Sequence, residues 1–198
     1  MTTLNGWVPD PLDIRDKKLS STTFLSPLQI PAEIDNASLF RPISNQLQWP
    51  FCTANAAADA WESAEIVQRI NSGMTVAQAV AATPDLSRLF IGFNSRQLMD
   101  PPRGYDITAG CYNRLTMDVL SRHGICTEAI WPYTPTNASR RPSIMAYRDA
   151  FAHRSTGFYS IPEMGNERHE LIRIALARKH SVIFGTALSQ AFKTYTSG

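Results

Sequence analysis

The stretch from Pro50 to Gly73 constrains the fold more than any other part of the chain. After the proline, Ala54, Ala57, Ala58, Trp61, Ala64, Val67 and Ile70 recur at helical spacing until Asn71-Ser72-Gly73. Apolar residues every three to four positions build one buried stripe on a helix, and a glycine just past the last of them ends it. The pattern predicts a long helix over about residues 51–71. A helix of that length has to be buried along one face, so the chain needs further elements to cover it.

Those elements follow in a fixed order. Residues 1–50 are proline-containing and lack helical periodicity, so they read as an extended arm with turns, tied down at Trp7, Phe24 and Leu39-Phe40. Thr83-Pro84 reads as an N-cap with proline at the first helical position. Leu86, Leu89-Phe90 and Phe93 then mark a second helix through about Met99. Pro101-Pro102-Arg103-Gly104 is a loop, and a third helix is expected from near Gly110 to Arg122, stopping at His123-Gly124. Residues 127–145 read as an irregular linker. Beyond them a short strand is expected at about 158–161, a helix near 167–178 and a strong strand at 181–187, where Ser181-Val182-Ile183-Phe184 begins a β-rich run. Helices first and strands late indicate an α+β class, with a helical lobe followed by the start of a sheet lobe.

Charge and composition narrow the partners. The net charge of +2 is spread over pairs such as Lys17-Lys18, Arg140-Arg141 and Arg178-Lys179, with no basic run of the kind nucleic-acid binding needs. No stretch approaches the ~18 uninterrupted apolar residues of a membrane span, so no membrane partner is expected. Met1-Thr-Thr-Leu-Asn-Gly-Trp lacks both parts of a signal peptide, which favours the cytoplasm over secretion. The three cysteines, Cys52, Cys111 and Cys126, are odd in number and widely spaced, without zinc-ligand spacing. They read as reduced thiols, and no cofactor or metal is implied.

Cys52 falls at the first turn of the long helix. There the unpaired amides and the positive end of the helix dipole stabilise a thiolate. A buried cysteine acting as a small apolar residue fits the same position, and placement leaves both readings open.

The run Ser44-Asn45-Gln46-Leu47-Gln48-Trp49-Pro50-Phe51-Cys52-Thr53-Ala54-Asn55 resembles the segment around the nucleophile of papain-like cysteine peptidases, with Asn-Gln ending six residues ahead of the cysteine. The resemblance implies Cys52 as nucleophile and Gln46 as oxyanion partner, the Gln46 amide and the Cys52 backbone N–H being the two donors. Acyl transfer builds charge on a former carbonyl oxygen, so both donors must be preorganised. Trp49 stands where the family's usual disulfide cysteine lies, and Thr53 replaces the aromatic residue after the nucleophile. Loss of that disulfide suits the bacterial and phage-like branch. It removes a local brace and part of the pocket wall.

Three more blocks carry the likeness. Gly6-Trp7-Val8-Pro9-Asp10 with Asp13-Ile14-Arg15-Asp16 is similar to the opening of bacterial members. Residues 87–97 resemble a family segment ending Asn-x-Arg. Gly110 to Tyr133, with Gly124-Ile125-Cys126-Thr127-Glu128 and Trp131-Pro132-Tyr133, is similar to the third helix and the segment after it. What this implies is a two-lobe fold: an arm over 1–20, a helical left lobe over 21–150 and the start of a β-rich right lobe over 151–198, cut short, with a polypeptide substrate bound in the cleft. Gly110 lies near the family's substrate-pairing glycines and is a candidate for substrate binding; a helix N-terminal turn is the other reading.

The family's base is a histidine about 130–150 residues after the nucleophile, oriented by an asparagine. Of His123, His153, His169 and His180, only His180 comes near that spacing. It follows directly on a helix, where relatives have a turn into a strand, so it is not taken as the base. Phe192-Lys-Thr-Tyr195-Thr-Ser-Gly198 resembles a family segment that precedes the true histidine. The expectation is that the base and asparagine come from sequence after Gly198 or from a partner chain. The alternative is a catalytically inactive papain-like binding or assembly protein. A transglutaminase or cell-wall amidase would share the cysteine at a helix start but not the Asn-Gln six residues upstream.

Overall fold

A computed structural model of the chain describes residues 7–20, 30–162 and 164–187. Gly6, Phe24 and the segment from Phe192 to Gly198, each singled out above, lie outside the described residues.

The long helix forms as α1, Cys52–Asn71, and its end matches the sequence signal: Gly73 takes φ +100°, a conformation that suits glycine. The core gathers on it. Ala54, Ala57 and Ala58 are fully buried, and their small side chains let α3 (Arg88–Gln97) and α4 (Asn113–Arg122) pack directly against α1. Phe90 and Ile91 from α3 and Val119 and Leu120 from α4 fill that junction, with Ile125, Cys126 and Trp131 closing it. Between α1 and α3 lies α2, Val76–Ala82, absent from the sequence expectation. A reciprocal cap starts it, Thr75 Oγ1 accepting from the Gln78 backbone and the Gln78 side chain accepting from Thr75 N–H. Ala79 then packs on Ile66 and Leu39 in a second, smaller cluster.

Thr83 is therefore not the N-cap expected of it. It closes α2, donating its hydroxyl to Ala79 O at 2.9 Å, and Ser87 caps α3 by accepting from Phe90 N–H at 3.3 Å. The linker over 127–145 is also less irregular than expected. It holds the single turn α5, Pro135–Ala138, capped by Thr134, and the start of α6, Ile144–Ala150, capped by Ser143. The last described helix is α7, Gly165–Ala177.

The strand content differs most from expectation. Among the described residues there are three isolated bridges and no ladder: Trp7 with Cys111 and Lys18 with Ser160, both parallel, and Leu86 with Thr127, antiparallel. Residue 160 thus pairs where a short strand was expected at 158–161. Residues 181–187 run without strand pairing although Val182-Ile183-Phe184 has the composition for it. A strand exists only against a partner, so composition without a neighbouring edge leaves an unpaired segment.

The arm lies across the helical body. Val8 N–H donates to Cys111 O at 2.9 Å, and the indole of Trp7 sits on Gly185, where a Cβ has no room. Arg114 of α4 holds the next stretch, reaching Asp13 at 3.0 Å, Asp16 at 2.8 Å and Asp118 at 3.2 Å, while its backbone N–H donates to Asp10 at 2.7 Å. Hydrogen bonds from Arg15, reinforced by the charge of Arg114, hold the Asp13 carboxyl well below the usual carboxylate range. No described helix is long and apolar enough to cross a membrane.

Candidate active site

Cys52 is the first residue of α1, with Phe51 at the N-cap. Proline at 50 blocks earlier helix growth, so the helix starts where the thiol stands. The side chain is half-buried. Burial pushes the Cys52 thiol up from its ordinary value, and the backbone amides of Thr53 and Cys52 pull it down by less. These influences are local, and no histidine enters the balance. Burial pushes the other two thiols up as well, Cys126 to about 12.

Gln46 approaches from the loop before the helix. Its Nε2 donates to Trp49 O at 3.1 Å, and Phe51 N–H donates to the same carbonyl at 2.9 Å. A primary amide has two N–H bonds, and this contact orients the group through one of them. The loop carries local strain: Leu47 has φ +57°, a left-handed conformation that costs a residue with a side chain, and its N–H donates to Asn45 Oδ1 at 2.8 Å.

Residues without a role in the sequence reading surround this loop. Trp49, Phe51 and Tyr133 form a ring cluster with centroids 5.0 to 6.4 Å apart. Tyr133 donates its hydroxyl to Gln46 O at 2.9 Å. The buried Arg96 guanidinium lies 4.1 Å from the centre of the Phe51 ring, on the core side of the same loop. There burial lowers its pKa to about 10. The readable signal for Tyr133 was the Trp-Pro-Tyr block, which marks a resemblance without assigning a contact.

Gly110 is half-buried in the extended segment before α4, next to Cys111, whose carbonyl the arm engages. His180 follows α7, its backbone N–H donating to Ala175 O at 3.0 Å. It lines a cleft of about 300 Å³ with Ala56, Asp59 and Ser63 of α1. Ala56 is one helical turn beyond Cys52. Burial, with Arg178 adding to it, lowers the His180 pKa and favours neutral imidazole. His153 stacks edge-on with Trp61 and His123 with Tyr147.

The geometry is a cysteine opening the central helix, with a glutamine amide tied into the loop before it. Two comparisons with known proteins bear on it. A protein of Acanthamoeba polyphaga mimivirus described as an uncharacterized peptidase C1-like protein is 30% identical over 145 residues, which are 71% of this chain and 42% of that protein. The crystal structure of xylellain, a cysteine protease from Xylella fastidiosa, is similar with a TM-score of 0.54 and 23% identity, covering 88% of this chain and 62% of that one. No protein-family model matches the chain. The chain is thus similar to papain-like, C1-type cysteine peptidases in sequence and in fold, and it spans less than half the length of the curated relative it matches.

Proposed function

We propose that the chain carries the nucleophile side of a papain-like peptidase acting on polypeptides, with Cys52 as nucleophile and Gln46 and the Cys52 backbone N–H as oxyanion donors. The observation that carries the reading is the tie from Gln46 Nε2 to the carbonyl of Trp49, three residues ahead of a cysteine at a helix start. In the reaction, the Cys52 thiolate attacks the peptide carbonyl carbon and the oxyanion is held by the two donors. The C–N bond breaks as the amine leaves with a proton, and water hydrolyses the thioester, releasing the carboxylate and the thiol. Gly110, beside the backbone pairing at Cys111, is assigned to the substrate's main chain. The lobes are taken as 21–150 and 151–198, with the arm over 1–20 lying between them.

A second reading has its own observation. The influences on the Cys52 thiol push it up and include no imidazole, as a papain-like binding or assembly protein without hydrolysis would have it. One experiment separates the two: alkylation of the full chain by a papain-family epoxide inhibitor from pH 5 to 9, with mass spectrometry locating the label and Cys52→Ala as control. Peptidase function requires rapid labelling of Cys52 already near pH ~6, since an activating base lowers the thiolate pKa to about 3.5–7.5. Slow labelling that climbs only above the ordinary thiol range refutes it in favour of the second reading.

A further inference from the structure

The loop that carries Gln46 is strained and bonded mainly to itself. It contains a left-handed leucine, Leu47, and the bonds inside it are short-range: Leu47 N–H to Asn45 Oδ1, Gln46 Nε2 to Trp49 O, and Phe51 N–H to Trp49 O. Residue 49 is a tryptophan and the three cysteines are free, so no disulfide braces the loop. A contact from outside would brace it, and the described structure contains such a contact. Tyr133, 87 residues away in sequence, donates its hydroxyl to the Gln46 carbonyl at 2.9 Å, and its ring stacks on Trp49 with centroids 5.0 Å apart.

Tyr133 is itself fixed from two sides, by groups that also face each other. Its backbone N–H donates to Glu128 Oε1, the Arg88 guanidinium lies 5.0 Å from the centre of its ring, and Arg88 Nη2 stands 3.7 Å from Glu128 Oε2. Arg88 opens α3 and is buried, so this circuit is anchored in the helical core. Burial raises the Tyr133 phenol to about 12, which keeps the hydroxyl a donor throughout the neutral range.

We propose that Tyr133 is a positioning residue for acyl transfer: by donating to the Gln46 carbonyl, it fixes the loop that aims the Gln46 amide at the oxyanion. This rests on the reading of Gln46 as an oxyanion donor. Tyr133 touches no reacting atom. Its effect is confined to steps that build an oxyanion and passes through Gln46. The Trp131-Pro132-Tyr133 block thereby gains a function.

The test compares two reactions of the same thiol in the full chain. Acylation of Cys52 by p-nitrophenyl acetate builds an oxyanion, whereas alkylation by iodoacetamide does not. Both need the thiolate, so their ratio is independent of how far the thiol is ionised. Tyr133→Phe keeps the ring and its stacking. It is expected to lower the ratio about three- to tenfold, the worth of one hydrogen bond, with alkylation unchanged. Gln46→Ala is expected to lower it further, and the double variant is expected to match Gln46→Ala alone, because one residue acts through the other. If Gln46→Ala lowers the ratio while Tyr133→Phe leaves it unchanged, or if the two losses simply add, the positioning role is overturned and the Gln46 reading stands. If Gln46→Ala leaves the ratio unchanged, or acylation does not depend on Cys52, the reading beneath falls and the proposal with it.

Discussion

Glu62 provides a stability test that does not depend on any activity. It sits on α1 with 4% of its surface exposed, a carboxyl in the helical core. Its Oε1 accepts from Leu86 N–H at 2.9 Å, and its Oε2 lies 3.6 Å from Nε of Arg41, whose Nη1 donates to Thr83 O at 2.5 Å. Burial pushes its pKa from 4.5 up to about 7, and the repulsion of Asp85 and Asp59 adds to this. The Leu86 N–H and the Arg41 charge oppose the shift but do not cancel it. Between pH 4.5 and 7 the folded protein therefore binds a proton at Glu62 that the unfolded chain has released, so folding stability falls as pH rises across that window. At about 1.4 kcal/mol per tenfold, the loss is on the order of 3 kcal/mol. Glu62→Gln keeps an oxygen for Leu86 N–H and carries no charge. Its stability relative to the natural chain should therefore improve by that amount between pH 4.5 and 8, most of it below pH 7. Urea unfolding followed by the fluorescence of the four tryptophans at stepped pH measures this difference. A difference that stays constant with pH, or shrinks as pH rises, would refute the reasoning. It would mean that Arg41 outweighs desolvation and holds the carboxylate ionised.

Two further substitutions test the packing. Gly124 ends α4 at φ +79°, and a Cβ there collides with the Ala150 carbonyl, so Gly124→Ala should cost at least about 3 kcal/mol, read as a lowered Cm in urea. Arg114→Ala removes the contacts to Asp13, Asp16 and Asp118. It should weaken docking of the arm by about 1–3 kcal/mol and speed limited proteolysis within residues 7–18, with little effect on cleavage inside α1. Unchanged cleavage would show that the backbone bonds Val8–Cys111 and Leu19–Ser160 hold the arm alone.

What was legible in the sequence was local. The long helix could be read because its stripe, its proline and its glycine stop all lie within one run, and the place of Cys52 at its first turn follows from the same run. Short helices were lost to competing signals. α2 has seven residues, too few to establish a period, although Thr75 and Gln78 spelled out its capping box. Thr83-Pro84 has the form of a helix start, yet Thr83 turns its hydroxyl back to Ala79 because α2, unseen in the sequence, ends there. Residues 181–187 have strand composition, but pairing is decided by a second segment that composition does not specify.

The same distinction runs through the site. The chemistry of thioester formation needs a thiol and two donors in register, which a short segment encodes. On the proposed function, holding that register against the strain at Leu47 is a tertiary task, and the contacts that reach the loop are Tyr133 from across the lobe and Arg96 packed beneath Phe51. On this argument, replacing Trp49 with cysteine would not by itself restore a missing brace, since the ring at 49 is already one wall of the brace the chain uses.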